Sequence, residues 1–222
     1  MNYSAIIFDL DGTLLDTLAD LADSFNHALT AHQFPAHPVS AYRIFIGDGA
    51  RTAVERALPQ TARNNQTVEI VLQEFKRHYA QNFNNKTRPY PGILSLIEKL
   101  KSKDIRMAVL SNKPHDFTIQ CTDYYFKNKF DLVQGFDNRF PKKPEPQSVK
   151  FILGELGLKA EEALYVGDTK TDMATARNAD ITSVGVVWGF RDERELRESG
   201  ANYIIHHPGE ILQVLNNNRI SR

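Results

Sequence analysis

The sequence predicts an α/β fold in which helices cover both faces of a parallel sheet and one segment is an all-helical insert. Short apolar runs, each the length of a buried strand, alternate with helical patterns along most of the chain. Strands connected by helices in this way form parallel sheets. One long segment after the first run has helical patterns only. The predicted strands are residues 3–8, 106–110, 163–166, 183–188 and 201–205, with a weaker one at 132–133.

The first predicted strand leads into the sequence IIFDLDGTLLDT, which places Asp9 and Asp11 directly after buried apolar residues. Two carboxylates so close together raise each other's pKa unless a positive charge lies with them. A calcium-binding loop also begins with two aspartates one residue apart, but it requires glycine at its sixth position and glutamate at its twelfth. This chain has Leu14 and Asp20 there, so we expect a different kind of cation site.

The segment after the first strand has apolar residues at helical spacing and no clear strand. The apolar positions are Leu18, Leu21, Phe25 and Leu29, then Val68, Leu72, Phe75 and Tyr79. Because this segment is much longer than an ordinary connection, we predict an inserted helical subdomain at 17–87 and a core formed by 1–16 and 88–222. The predicted hinges between them are 15–17 and 88–91.

The alternation of strands and helices resumes after a turn signal at 90–92. Two stripes of apolar residues at helical spacing predict amphipathic helices. The first stripe is Ile93, Leu94, Ile97 and Leu100, and the second is Val149, Ile152, Leu153 and Leu156. Gly157 predicts the end of the second helix, because glycine readily adopts the left-handed conformation that often follows a helix.

A second acidic cluster lies in the sequence LYVGDTKTDM. Asp168 follows an apolar strand, and Asp172 lies four residues on, in a helix predicted to begin near Thr169. The carboxyl ends of parallel strands meet at one edge of a sheet, so we expect Asp168 and Asp172 to meet Asp9 and Asp11. Carboxylate oxygens suit a hard cation, and a few carboxylates with positions left for water suit Mg²⁺ better than calcium or zinc.

Two further motifs predict a phosphate site. The sequence AVLSNKP places Ser111 directly after the second core strand, followed by Asn112, with Pro114 in the first turn of a helix. The sequence PKKPEP places Lys142 and Lys143 in a proline-rich loop ahead of the next helix. A hydroxyl group, free backbone N–H groups and an ammonium group together can bind a phosphate.

The order of these motifs, strand–DxD, strand–Ser, Lys and strand–GDxxxD, resembles that of the haloacid dehalogenase superfamily of phosphohydrolases over the whole chain. The resemblance implies a Rossmann-like core with a helical cap domain inserted after the first motif. It implies that Asp9 attacks phosphorus to form an aspartyl-phosphate, and that Asp11 protonates the leaving alkoxide and later deprotonates the attacking water. Asp9 and Asp168 would bind Mg²⁺ through their side chains, and Asp11 through its backbone carbonyl.

The resemblance also assigns roles to residues around these carboxylates. Ser111 would hold a phosphoryl oxygen, and Lys143, together with magnesium, would neutralise the repulsion between Asp9 and a phosphate dianion. Asp172 would orient Lys143 or a magnesium-bound water. The remaining residues expected to bind or support the phosphate are Gly12, which lets the backbone approach it, Thr13, which can hydrogen-bond near Asp11, and Asn112.

The substrate prediction depends on the inserted segment. The sequence FIGDGARTAVERAL, at 45–58, is similar to the cap segment of phosphoglycolate phosphatases, and SNKP and VVWGF in the core also resemble that family. The resemblance implies hydrolysis of 2-phosphoglycolate to glycolate and phosphate. The carboxylate of 2-phosphoglycolate requires a donor from the cap. A helix of the cap is predicted to begin near Ala50, after a flexible turn that includes Gly49. Arg51 is the first candidate partner for this carboxylate, and Arg43 is the second.

Several alternatives share parts of this pattern. Pyrophosphatases, other small-phosphoester phosphatases, sugar phosphomutases and phosphonate hydrolases of the same superfamily have the same core. A dehalogenase does not need the second aspartate, so Asp11 argues against it. A signalling receiver domain has clustered aspartates, a hydroxyl group and a lysine, but it is shorter and has no helical insert. A non-catalytic domain that binds phosphate with magnesium is the alternative from a different class.

Composition limits the partners and the compartment. The 27 basic and 27 acidic residues balance, so net charge predicts attraction to neither nucleic acid nor a membrane surface. Cys121 is the single cysteine, which excludes an internal disulfide and fits a reducing compartment. With no signal peptide or membrane span expected, we predict a cytoplasmic protein that acts on a small phosphorylated metabolite as a monomer or weak homodimer.

Overall fold

The computed structural model describes residues 3–216, and the predicted core residues 1–2 and 217–222 lie outside the described residues. The strands in the described range are β1 Ala5–Phe8, β2 Leu15–Asp16, β3 Arg88–Pro89, β4 Arg106–Pro114, β5 Leu132–Phe136, β6 Ala163–Gly167, β7 Thr182–Val186 and β8 Tyr203–Ile205. The helices are α1 Leu18–Ala31, α2 Tyr42–Phe45, α3 Ala50–Ala57, α4 Asn65–Asn82, α5 Ile93–Lys101, α6 His115–Phe126, α7 Gln147–Leu156, α8 Lys170–Asn178, α9 Glu193–Glu198 and α10 Ile211–Asn216.

Six of these strands form one sheet in the order β5–β4–β1–β6–β7–β8. Every neighbouring pair is parallel, and β1 lies between β4 and β6. This arrangement confirms the predicted Rossmann-like α/β fold. The central position of β1 matters for function, because its carboxyl end lies beside those of both neighbours.

Alternate residues of β1 pack into two different layers, as the period of a strand requires. Ile6 and Phe8 belong to the larger apolar cluster, which includes residues of α1, α4 and α5. Ala5 and Ile7 face the other side of the sheet and pack with Val149 of α7. The sheet is therefore covered on both faces, which explains why this strand reads as a continuous apolar run rather than an alternating one.

The ends of several strands differ from the sequence-based prediction. The predicted strand 106–110 continues to Pro114, so Ser111 and Asn112 lie within β4, and the prediction that Ser111 follows the strand is wrong. Pairing with β5 extends the strand: after a shift in register, Pro114 lies opposite Phe136. Pro114 has an extended conformation and precedes α6, so it does not lie in the first turn of that helix.

The chain between β2 and β3 is helical, and we refer to α1–α4 as the helical segment. The predicted apolar stripes on α1 and α4 are buried. Phe25 of α1 stacks on Phe75 of α4 with 3.9 Å between the ring centroids. The two ends of the segment lie side by side, because β2 and β3 pair antiparallel, a ribbon that the sequence did not predict. The division into a core and a 17–87 subdomain stays a prediction.

Three helix termini agree with the sequence-based prediction. Thr169 caps α8, its side chain accepting a hydrogen bond from the backbone N–H of Asp172, and α3 begins at Ala50 as predicted. Gly157 follows α7 in the left-handed conformation. The α5 stripe requires a correction, because Leu94 is 54% exposed, and the buried leucine is Leu96, on the opposite face of the helix.

Within residues 3–216, none of the helices is both long enough and apolar enough to cross a membrane.

Candidate active site

Three aspartates meet at the carboxyl edge of the sheet. Asp9 follows β1, Asp168 follows β6, and Asp172 lies in the first turn of α8. All three are buried, and one carboxylate oxygen from each lies within 4.8 Å of the others. The parallel arrangement of β1 and β6 is what brings them together. Asp11 lies two residues beyond Asp9, and its carboxylate also faces the cavity described below.

Lys143 joins two of these carboxylates. Its Nζ donates to Asp9 Oδ1 at 2.8 Å and to Asp172 Oδ1 at 2.7 Å. Only 3% of the Lys143 side chain is exposed. Burial alone would lower its pKa, but the carboxylates of Asp172 and Asp9 outweigh burial and raise the pKa of Lys143 well above its usual value. The ammonium group therefore keeps its charge beside Asp9.

Asp172 is held in a fixed orientation by its own helix and by β6. Its Oδ2 accepts hydrogen bonds from the Thr169 hydroxyl at 2.7 Å and from the Thr169 backbone N–H at 3.1 Å. Its Oδ1 accepts from the Tyr165 hydroxyl at 3.2 Å as well as from Lys143. The carboxylate can thus hold Lys143 in place, and Tyr165 is a support that the sequence analysis did not identify.

The carboxylate of Asp168 is enclosed by the loop after β1 and the segment after β7. The Thr13 hydroxyl donates to Asp168 Oδ1 at 3.1 Å, and the Phe190 backbone N–H donates to Oδ2 at 2.7 Å. Gly12 has a φ of +88°, and a Cβ there or at Gly189 would collide with Asp168. The structure therefore places Thr13 on Asp168 rather than near Asp11, and Asp168 is the group that approaches Gly12.

The donor set fits a divalent cation. When ionised, the three buried aspartates carry two negative charges more than Lys143 can balance. Burial is the main reason that the pKa of Asp9 rises to about 7; Lys143 opposes this rise, and Asp172 and Asp11 add to it. Burial also raises the pKa of Asp168 well above its usual range, with further contributions from Asp9 and Asp172. Oxygen ligands with an excess of negative charge suit a hard divalent ion.

Ser111 and Asn112 contact different parts of the site. Ser111 lines the cavity, and its Oγ accepts a hydrogen bond from the Lys113 backbone N–H at 3.2 Å. Asn112 accepts from the Lys143 backbone N–H at 2.8 Å and donates to the Lys143 carbonyl oxygen at 3.2 Å. Its Nδ2 also reaches the Gly47 carbonyl oxygen at 3.2 Å. Asn112 therefore fixes the loop of Lys143 and connects it with the helical segment.

Lys113 is a site residue that the sequence analysis missed. Its Nζ lies 2.9 Å from Asp11 Oδ1 and 3.1 Å from Oδ2, and 4% of its side chain is exposed. The same ammonium lies 4.5 Å from the centre of the Tyr79 ring. Alternate residues of a strand share a face, so a longer β4 would have placed Lys113 beside Ser111. Because the predicted strand ended at residue 110, the sequence analysis did not place Lys113 on the same face as Ser111.

A cavity of about 50 Å³ lies between the sheet edge and the helical segment. This is roughly four times the space that one water molecule needs, which suits a small ligand. The lining from the sheet edge is polar and consists of Asp9, Asp11, Ser111, Asn112 and Lys113. The opposite lining is mostly apolar and consists of Leu21, Phe25, Ile46, Gly47, Gly49, Ala50, Ala53, Phe75 and Tyr79, with Pro114 and Phe117 from the core.

The sequence model of one enzyme family, the haloacid dehalogenase-like hydrolases, matches residues 6–186 and so contains all of these carboxylates. The chain belongs to this family. A phosphoglycolate phosphatase from Mesorhizobium japonicum is 35% identical to it, with 93% of this chain and 92% of that protein covered. One from Pectobacterium atrosepticum is 32% identical, with coverages of 95% and 91%. The resemblance identified from the motifs is confirmed.

Solved structures support the same assignment of this haloacid dehalogenase-like hydrolase. A protein from Lactobacillus delbrueckii subsp. bulgaricus superposes with a TM-score of 0.92 at 32% identity, covering 97% of this chain and 99% of its own. A haloacid dehalogenase-like hydrolase from Streptococcus pneumoniae gives a TM-score of 0.86 at 25% identity, with coverages of 96% and 98%. The similarity therefore includes the helical segment as well as the sheet.

The structure places two of the three predicted specificity residues outside the cavity of this hydrolase. Arg51 forms ion pairs with Glu69 at 2.7 Å and with Glu55 at 3.7 Å. Ala50 and Ala53 turn one face of α3 to the cavity, so Arg51 points toward α4 instead. Of the other two, Gly49 lines the cavity. Arg43 donates to the Gly189 carbonyl oxygen at 3.0 Å and does not line the cavity.

Proposed function

We propose that this haloacid dehalogenase-like hydrolase is a magnesium-dependent phosphatase that converts 2-phosphoglycolate to glycolate and phosphate through an aspartyl-phosphate on Asp9. The observation that carries the proposal is the hydrogen bonding of the two oxygens of the Asp9 carboxylate. Lys143 holds Oδ1, while no group among residues 3–216 donates a hydrogen bond to Oδ2, and Asp9 lines the cavity. The substrate is supported by relatives named phosphoglycolate phosphatase that match more than nine-tenths of this chain.

In the first step, Asp9 Oδ2 attacks phosphorus, and the bond between phosphorus and the ester oxygen breaks. Lys143 neutralises the charge on Asp9 and on the phosphoryl group, which would otherwise repel each other. The Ser111 hydroxyl donates to a phosphoryl oxygen. Asp11, whose carboxylate lies on the same lining, gives its proton to the leaving alkoxide, so glycolate departs as the neutral alcohol at that oxygen.

In the second step the proton transfer at Asp11 runs in the opposite direction. Asp11, now ionised, removes a proton from a water molecule, and the water oxygen bonds to phosphorus. The bond between phosphorus and Asp9 Oδ2 breaks, which releases inorganic phosphate and restores the Asp9 carboxylate. The apolar lining from the helical segment keeps other water away until the first product has left.

A cation would be held by the side chains of Asp9 and Asp168 and by the backbone carbonyl of Asp11. When bound, Mg²⁺ supplies positive charge to the phosphoryl oxygens and thereby favours attack by an anion. Magnesium as the specific ion, the cytoplasm as the compartment, and a monomer or weak homodimer as the assembly stay predictions from the sequence. That the substrate is a small phosphorylated compound follows from the family.

The helical segment is proposed to act as the cap, comprising 17–87, that closes over the cavity. Two hydrogen bonds that cross from it to the core support this proposal. The Thr171 hydroxyl donates to Asp48 Oδ1 at 2.9 Å, and Asn112 donates to the Gly47 carbonyl oxygen. The predicted hinges coincide with β2 and β3, whose pairing holds the two connections together.

The test is phosphate release from a panel of 2-phosphoglycolate, pyrophosphate, sugar phosphates and simple phosphoesters, with a chelator and with magnesium restored. We expect the highest kcat/KM for 2-phosphoglycolate and loss of activity on chelation that magnesium reverses. A higher kcat/KM for pyrophosphate or a sugar phosphate would favour the corresponding member of the same superfamily. Activity that is indifferent to chelation would contradict the metal site.

A further inference from the structure

We infer that Lys113 binds the carboxylate of the substrate's leaving group and is the main determinant of the preference for a carboxylated phosphoester. This inference rests on the proposed function. It replaces the expectation that an arginine of the helical segment makes this contact.

The position of Lys113 relative to the two reacting aspartates carries the argument. Asp9 attacks phosphorus from one side, so the leaving oxygen lies on the opposite side, next to the proton donor Asp11. Lys113 Nζ contacts both oxygens of Asp11, which places it beside the leaving group. In 2-phosphoglycolate a single CH₂ separates the ester oxygen from the carboxylate, so an ammonium at Asp11 is within reach of that carboxylate.

The lining of the cavity leaves few other partners for this carboxylate. Among the described residues 3–216, Lys113 is the one basic side chain that lines the cavity. The side chains of Leu21, Phe25 and Phe75 in the lining from the helical segment are apolar, and a carboxylate placed against them would lose its hydration without compensation. Arg51 is occupied by Glu69 and Glu55 outside the cavity, and Arg43 bonds to a carbonyl oxygen of the core.

The ammonium of Lys113 has the capacity for a second anion. Lysine has three N–H donors, and the two oxygens of Asp11 use at most two of them. The Tyr79 ring lies with its centre 4.5 Å from the ammonium and stabilises the positive charge through its face. Burial of 96% of the side chain, the complement of its 4% exposure, strengthens any contact that this charge makes.

The experiment compares 2-phosphoglycolate with ethyl phosphate, in which a methyl group replaces the carboxylate. Lys113→Met removes the charge at nearly constant volume, and Lys113→Gln is the second variant should the first fail to fold. Both substrates will react more slowly, because Lys113 also contacts Asp11. The ratio of the two kcat/KM values is therefore the measurement, and we expect it to fall roughly 10- to 100-fold.

A second measurement separates binding from proton transfer. Inhibition constants of 3-phosphonopropionate and propylphosphonate differ by the same carboxylate and involve no reaction, and their ratio should change by the same factor in the variant. Lys129→Met is the matched control, because Lys129 pairs with Glu98 and does not line this cavity; it should leave both ratios unchanged.

Two results would contradict the role inferred for Lys113, and a third would contradict the proposed function. Equal losses for both substrates in Lys113→Met or Lys113→Gln, with unchanged inhibitor ratios, would show that Lys113 supports Asp11 only. A wild-type enzyme that hydrolyses ethyl phosphate as well as 2-phosphoglycolate would also overturn the inference, while the phosphatase activity would stand. A wild-type enzyme that hydrolyses neither substrate would instead contradict the proposed function.

Discussion

The two sides of the cavity differ in every property that bears on chemistry. The side at the sheet edge, which we call the floor, consists of Asp9, Asp11, Ser111, Asn112 and Lys113. Asp9 and Lys113 are buried, Asp11 is partly exposed, and lysine side chains donate hydrogen bonds to both carboxylates. On the side from the helical segment, we refer to the apolar side chains of Leu21, Phe25, Ala53 and Phe75 as the wall.

This difference indicates that the two sides of the cavity have different roles. In the proposed mechanism the floor supplies the nucleophile, the proton donor and the positive charge, because strand ends bring distant polar residues together. The wall offers shape and exclusion of water, since its apolar side chains have no group to donate to an anion. Recognition of charge in the substrate is therefore expected from the floor, and the wall should limit only size.

The largest effect is expected at the nucleophile on the floor. Asp9→Asn replaces the attacking carboxylate with an amide, so activity should fall by more than about 10⁴-fold. Acid quenching during turnover should trap no phosphoryl-enzyme. Circular dichroism and thermal unfolding would verify that the variant is folded. A folded Asp9→Asn enzyme with substantial activity would exclude the covalent mechanism.

Asp11→Asn should have the next largest effect, because it keeps the nucleophile and removes the proton donor. Loss of general acid–base catalysis lowers rates by ~10²–10⁴. An activated aryl phosphate needs no proton on its leaving group, so its first step should be slowed less than that of 2-phosphoglycolate. Rapid quench with the aryl ester should then reveal accumulated aspartyl-phosphate. Equal slowing of both first steps would argue that Asp11 does not act as the acid.

A variant of the wall should lose stability rather than selectivity. Phe75→Ala removes a buried ring that stacks on Phe25, and such a change lowers the free energy of unfolding by about 3–5 kcal/mol. Urea titration measures this loss. The ratio of kcat/KM values for 2-phosphoglycolate and ethyl phosphate should not change in the fraction that remains folded. A changed ratio would mean that the wall also contributes to recognition of the substrate's carboxylate.

A divalent cation should stabilise the floor by a smaller amount. Its charge would relieve the repulsion among Asp9, Asp168 and Asp172, so magnesium should raise the Tm. At a concentration about 100 times Kd, the free energy of unfolding should rise by about 2.7 kcal/mol. Asp168→Asn should remove most of this shift. If magnesium leaves the Tm of the wild-type protein unchanged, the cluster does not bind it in the folded state.

The smallest effect is expected at Arg51, which the sequence analysis assigned to the substrate carboxylate. Its ion pairs with Glu55 and Glu69 are partly exposed, and such pairs contribute about 0–1 kcal/mol to stability. Arg51→Ala should therefore alter kcat/KM for both substrates by little. A selective loss for 2-phosphoglycolate would restore the original hypothesis and would mean that the helical segment rearranges when substrate binds.

The sequence was sufficient for the strands and for the acidic residues of the floor. Apolar runs identified all six strands of the sheet, and aspartates at the ends of two runs pointed to one edge. The error at β4 had a physical cause, since Ser111, Asn112 and Lys113 are polar and read as the end of a strand. All three are buried, and pairing with β5 resumes only beyond them, at Pro114.

The amino-acid sequence by itself determined the α/β class, the family and the convergence of Asp9, Asp168 and Asp172, because periodicity and strand direction are local properties with a general geometric consequence. The tertiary structure alone decided which partner each charged side chain meets. Lys113 reaches Asp11 across 102 positions of sequence, and Arg51 turns to Glu69 because α3 packs against α4. Such partners depend on how elements pack, and no local pattern encodes that packing.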